Sequence, residues 1–96
     1  MTKEDILKTL AAQRPKLETR FKVKEISLFG SFARGEQVES SDIDVLVEFD
    51  ASASLFDLVR LSLFLEEQLH RKVDVIPKDS LRVELADSIL RERITV

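Results

Sequence analysis

The chain reads as a small α/β (α+β) domain, a mixed sheet packed against helices, and three observations predict it. Helix and strand periodicities alternate along its 96 residues. A hydrophobic fraction of 44% beside 34% charged residues is that of a globular chain and not of a disordered one. The sequence holds 2 glycines, and both fall in Gly30-Ser31-Phe32-Ala33-Arg34-Gly35, between two strand-like runs. One domain spanning 1–96 with one core is expected, since no linker, repeat or low-complexity tract divides the chain.

The elements follow in order. Thr2 with Asp5 three residues on resembles a capping box, and Ile6, Leu7 and Leu10 form an apolar stripe, which predicts a first helix ending near Arg14. Pro15 restricts the residue before it and suits a first helical turn, so a second short helix is expected from Pro15 through Phe21. Val23 to Phe29 is rich in branched and aromatic residues and stops at Gly30, as a buried strand would. Residues 31–36 predict a short helix, with Gly35 ending it through a positive φ. Asp42 to Phe49 continues as a strand, and alternation puts Asp42, Asp44, Leu46 and Glu48 on one side and Ile43, Val45, Val47 and Phe49 on the other. A helix from about Leu55 to Leu69 is expected to bury Leu55, Leu58, Val59, Leu65 and Leu69, leaving Leu61 and Phe64 outside the stripe. Those two suit either a second packing layer or an interface. Val73 to Ile76 is a short strand stopped by Pro77; a last helix from about Leu81 to Arg91 presents Leu85, Ala86, Ile89 and Leu90; Ile94-Thr95-Val96 suits a terminal strand.

Composition removes several classes of function. With 15 Lys+Arg against 18 Asp+Glu the net charge is −3, so no general basic field exists to hold a nucleic-acid backbone. Cysteine is absent, which excludes disulfides, thiolate catalysis and zinc-thiolate sites and fits a cytoplasmic protein. The first twenty residues are dense in charge, and no apolar run suits a signal core or a bilayer span, so no membrane partner is expected.

The residues that remain point to phosphate and metal chemistry. Asp42 and Asp44, two apart on a strand, have α-carbons about 6.5–7 Å apart on one face, a spacing that lets both carboxylates meet hard cations. Asp74, in a strand able to pair beside them at about 4.8 Å, would bring three acids to one spot. Two such charges 4 Å apart repel by about 4 kcal/mol at an effective dielectric of 20, so the cluster needs a divalent metal, a proton or nearby cations. Gly30 and Ser31 end a strand where a helix begins, and there free backbone amides, the helix dipole and a hydroxyl favour phosphate oxygens. Taken singly, each acid reads more readily as a solvated or edge-guarding residue, and Ser31 as a cap; it is the four residues Gly30, Ser31, Asp42 and Asp44 at fixed spacing that weaken that reading. Arg34 either reaches phosphate or pairs with Glu36, and the sequence leaves both open. Lys24, Lys72 and Lys78 are expected to be solvated, as is His70, the sole histidine.

Gly30-Ser31, ten residues, then Asp42-x-Asp44, with Ala33-Arg34-Gly35 alongside, resembles the minimal nucleotidyltransferase (MNT) domain of the polymerase-β-like superfamily, especially the antitoxins paired with HEPN toxins. The resemblance implies the polymerase-β-like nucleotidyltransferase fold and a competent enzyme. It implies phosphate binding at Gly30 and Ser31, and two Mg2+ ions held by Asp42, Asp44 and Asp74, with Asp74 helping to orient or deprotonate the nucleophile. It further implies transfer of AMP from ATP to a tyrosine hydroxyl of a cognate HEPN ribonuclease toxin. The chain has no tyrosine, so such an acceptor belongs to another molecule. A steric antitoxin without catalysis, and a nucleotidyltransferase acting on a small hydroxylated molecule, are the alternatives; a homodimer is left open. With neither Trp nor Tyr to stack on adenine, something beyond the small domain is expected to complete the site.

Overall fold

The computed structural model describes all residues, Met1–Val96. Its elements run α1 (Lys3–Phe21), β1 (Val23–Phe29), α2 (Gly30–Arg34), β2 (Ile43–Phe49), α3 (Leu55–Leu69), β3 (Val73–Pro77), a 3-10 turn (Lys78–Ser80), α4 (Val83–Glu92) and β4 (Ile94–Thr95). The strands form one mixed four-stranded sheet in the order β3-β2-β1-β4. β1 is antiparallel to both neighbours, whereas β2 and β3 are parallel and α3 makes the crossover between them.

α1 is one helix, not two. The expected capping box is present, with Asp5 N–H donating to Thr2 Oγ1 at 3.2 Å and Thr2 N–H to Asp5 Oδ2 at 2.9 Å. Pro15 lies inside the helix without ending it. The reason is a single buried stripe that runs across the proline: Ile6, Leu10, Leu17 and Phe21 are all buried. Proline inside a helix costs about 3 kcal/mol, while Leu17 and Phe21 together contribute roughly 3–6 kcal/mol on burial. Packing therefore overrides the local preference.

On one face of the sheet α1 and α3 close the core over Ile26 and Leu28 of β1, Ile43, Val45 and Val47 of β2, and Val73 of β3. A bulge between Val23 and Glu25 shifts the phase of β1, so that Val23 and Ile26 both face this core. The face of α3 is rotated from the expected one: Leu65 and Leu69 are buried as expected, but Leu61 joins them in place of Leu55 and Val59. Leu61, Leu65 and Leu69 are buried and Phe64 packs against them, its ring centroid 4.8 Å from that of Phe21. Leu55 and Val59 are instead 73% and 51% exposed, in line with Phe56 and Leu63. A helix this apolar has two candidate stripes, and the capping box decides between them: Asp57 bonds Ser54 N–H at 2.8 Å and is turned inward against Lys22, which fixes the rotation of the first turn. Leu61, four residues on from Asp57, then points inward.

The other face carries only α4, none of whose residues is buried. Its C-terminal end is tied by ion pairs from Arg34 to Glu92 and from Arg93 to Glu25, at 3.0 and 2.9 Å. β4 follows directly, with Ser27 and Thr95 hydroxyls 2.9 Å apart and Val96 N–H donating to Ile26. No helix is long and apolar enough to cross a membrane.

Pro15→Ala should raise stability by about 1–3 kcal/mol, because it restores a helical hydrogen bond without touching the buried stripe. Urea denaturation checks this; an unchanged or lower midpoint would mean that the proline bend is itself used in packing.

Candidate active site

The sparsely covered face of the sheet gathers the predicted residues. β2 lies between β1 and β3 in a register that pairs Phe29 with Asp44 and Asp44 with Asp74. Residues paired across a ladder share a face, so Phe29, Asp44 and Asp74 form one row and point away from the α1–α3 core. Asp42 lies just ahead of β2, and the amide of Ile43 is held by the carbonyl of Lys72 at 3.0 Å. Asp42 is half-exposed, with Lys72 Nζ 4.0 Å from its Oδ2.

Gly30 is fixed by two requirements. Its φ is +77°, where an L side chain is strained, and a Cβ there would stand 2.3 Å from Asp44 Oδ2. The backbone of the turn thus lies directly against the carboxylate. Ser31 follows in the first turn of α2, whose N-terminal amides have no side-chain cap. Gly35 ends that helix with φ +70°, as expected. Arg34 takes the ion-pair alternative: its guanidinium bonds Glu36 at 2.6 Å and Glu92 at 3.0 Å. Its charge still reaches Asp44 and works to lower that group's pKa.

Burial, and after it the charges of Asp74 and Asp42, push the Asp44 carboxyl above the usual aspartate range. The three acids share a neighbourhood by backbone register, yet their side chains do not close into a ready metal-binding set. The expectation of three acids on one spot is corrected to that extent. Like charges separate when uncompensated, and Asp42 has Lys72 to turn toward. The donors are nevertheless all hard carboxylate oxygens, the kind of set that magnesium or calcium suits and thiophilic metals do not.

Asp44 and Asp74 line a cavity of about 370 Å3 whose other walls are Phe29, Ile76, Leu81, Leu85, Ile89 and Arg82. Sequence reasoning missed these walls. Phe29 could have been found from alternation, because Ile26 and Leu28 face the core and Phe29 must face the other way. Leu85 and Ile89 were assigned to an apolar face of α4, and that face turns out to border the acids. A larger cavity of about 560 Å3 lies at the far end of β2, beside Phe49, Leu55 and Lys78. None of the predicted residues lines it, and Glu48, Asp50 and Asp79 on its wall repel a polyphosphate. Lys24 and His70 are exposed, as expected; His70 caps α3 with φ 53°.

A model of the nucleotidyltransferase domain family matches residues 10–96. The chain belongs to this nucleotidyltransferase family. Protein adenylyltransferase MntA of Thermococcus cleftensis is 42% identical over 96 residues, covering 100% of this chain and 97% of the relative. A Methanocaldococcus jannaschii protein that carries the provisional name of protein adenylyltransferase is 54% identical over 74 residues, 77% of this chain and 80% of its own length. Among solved structures, one provisionally described as a minimal nucleotidyltransferase superposes with a TM-score of 0.86 at 36% identity, covering 100% of this chain and 97% of the other. A toxin–antitoxin crystal structure with AMP-PNP matches with a TM-score of 0.69 at 25% identity, over 99% of this chain and 72% of the other. The mixed sheet with four helices is accordingly the minimal nucleotidyltransferase fold, and the chain is a nucleotidyltransferase.

Gly30→Ala in this nucleotidyltransferase should cost about 1–2 kcal/mol from the left-handed backbone alone and should displace Asp44 as well. Urea denaturation gives the first effect, and loss of nucleotide binding the second. Asp44→Asn should do the opposite to stability. A carboxyl whose folded pKa is raised penalises the fold once both states are ionised, so with divalent ions chelated the variant should be more stable than wild type at pH 7. The gain should fade as the pH falls through the raised pKa and vanish below the ordinary 3.8, where the carboxyl is protonated in both states. A gain that does not vary with pH would refute the electrostatic cause.

Proposed function

We propose that this nucleotidyltransferase transfers AMP from ATP to a hydroxyl, a tyrosine, of a HEPN-type toxin partner and acts as its antitoxin. The observation that carries this reading is the row Gly30, Asp44, Asp74: a glycine turn pressed against one carboxylate that stands in register with a second. The identity to a protein adenylyltransferase and the likeness to a toxin–antitoxin with AMP-PNP support the reaction and the partner. The absence of tyrosine requires a protein acceptor of that kind to be another molecule.

In this reading the acceptor oxygen attacks the α-phosphorus of ATP, an O–P bond forms, the bond to the bridging oxygen breaks, and pyrophosphate leaves. Asp42, Asp44 and Asp74 would hold two magnesium ions, and their bound charge would stabilise the attacking and leaving oxygens. Gly30 lets the turn approach the phosphates, while Ser31 Oγ and the uncapped amides of α2 donate to phosphate oxygens. Asp74, the more exposed of the two paired acids, orients the acceptor hydroxyl and takes its proton on Oδ. Arg34 must exchange Glu36 or Glu92 for phosphate if it takes part. The apolar wall of Phe29, Ile76, Leu85 and Ile89 borders the row of acids and suits a flat ring.

The exposed line of Leu55, Phe56, Val59 and Leu63 favours a second reading, a binding module that silences the partner by contact alone. One experiment separates the two. Co-expression with the toxin, followed by intact-mass spectrometry, should show AMP-sized additions with the wild type and a loss of about a hundredfold or more with Asp44→Ala. Unmodified toxin that is still neutralised by Asp44→Ala would favour the binding module and sink the enzymatic antitoxin.

A further inference from the structure

The eight residues Gly35 to Asp42 that link α2 to β2 contain no helix or strand. Within the link, Ser41 N–H donates to the Val38 carbonyl at 3.0 Å and Val38 N–H to Ser41 Oγ at 2.9 Å, which makes a small turn. What joins this turn to the rest of the molecule is Arg71. Its Nη1 donates to the carbonyls of Glu39 at 2.8 Å and Ser41 at 2.9 Å. The same guanidinium stands 5.4 Å from the ring centroid of Phe32, a buried residue of α2 and the neighbour of Ser31.

We propose that Arg71 is a positioning residue that sets Asp42 against Ser31, and so fixes the distance between the metal-holding and phosphate-holding halves of the site. The inference rests on the nucleotidyltransferase reading of Ser31 and Asp42. Arg71 bonds the residue directly ahead of Asp42, and its sequence neighbour Lys72 accepts from Ile43, directly behind it. Asp42 is thereby held on both sides by consecutive residues of one segment, which opens β3 and therefore also carries Asp74. An arginine suits the task because its planar fork donates in fixed directions while its face stacks on a ring. A lysine ammonium can donate to the two carbonyls but does not present that plane.

The test compares wild type, R71M and R71K. Binding of AMP-PNP is followed across a magnesium titration, and amide exchange is followed by deuterium uptake. With R71M, the magnesium concentration for half-maximal nucleotide binding should rise about tenfold, as for loss of a group that supports a metal ligand. Amides of residues 36–43 should exchange faster while those of Ile26 and Leu28 in β1 stay protected. R71K should lie between. If R71M binds with unaltered magnesium dependence, Arg71 merely satisfies two carbonyls and the proposal falls. If R71M loosens β1 as well, R71K decides: faster exchange confined to the link together with a magnesium shift upholds the role, and a wild-type profile overturns it. Wild-type protein that binds no nucleotide at any magnesium level would refute the underlying reading and not the role of Arg71.

Discussion

The structure depends on the register of β2 between its two neighbours. Ile43, Val45 and Val47 are fully buried on the core side, and each contributes roughly 1.5–3 kcal/mol there. A slip of one residue would turn all three toward the open face and drive Asp44 into the core. The apolar residues, which touch no substrate, are therefore what holds the acids in their row. The row of acids on one face is a by-product of packing on the other.

That division explains how the domain tolerates its like charges. Asp42, Asp44 and Asp74 sit on the face covered by α4, none of whose own residues is buried, so water reaches Asp42 and Asp74 and limits their repulsion. Asp44 is the exception: Phe29 and the Gly30 backbone stand against it from β1, and burial raises its pKa. The strain is local, and it falls on the carboxylate in the middle of the row. A cation bound there would gain most from that residue, since the energy released on neutralising a group rises with the cost of keeping it charged.

Much of this was legible in the sequence, for identifiable reasons. The strands, the glycine turn, the cap of α1 and the sidedness of β2 are local or period-two signals, and each can be read from a few adjacent residues. The merging of two helices across Pro15 was not, because Leu17 and Phe21 outweigh the proline only when β1 and α3 are present to cover them. The rotation of α3 failed for a related reason: Leu55, Val59, Leu61 and Leu65 offer two stripes of similar strength, and the choice rests on Asp57 meeting Lys22 from α1's end. Arg71 had no signal at all, since it acts through the carbonyls of residues thirty positions away. Of the site, Gly30, Ser31, Asp42 and Asp44 form a spacing that reads directly. Asp74 required the parallel pairing of β2 with β3, and Phe29, Leu85 and Ile89 required knowledge of which face α4 covers.

The thinness of that cover bears on what the site can accept. A cavity of about 370 Å3 is near the lower end of the range for small-molecule pockets, and it is bounded on its outer side by a helix that rests on ion pairs and half-buried side chains. An enzyme that encloses two small substrates must exclude water from them, and the outer side of this site is open. If the acceptor is itself a folded protein, that requirement changes. Its surface can close the open side as it delivers the hydroxyl. Under the proposed reaction, a protein acceptor would thus supply the wall that the outer side of the site leaves open.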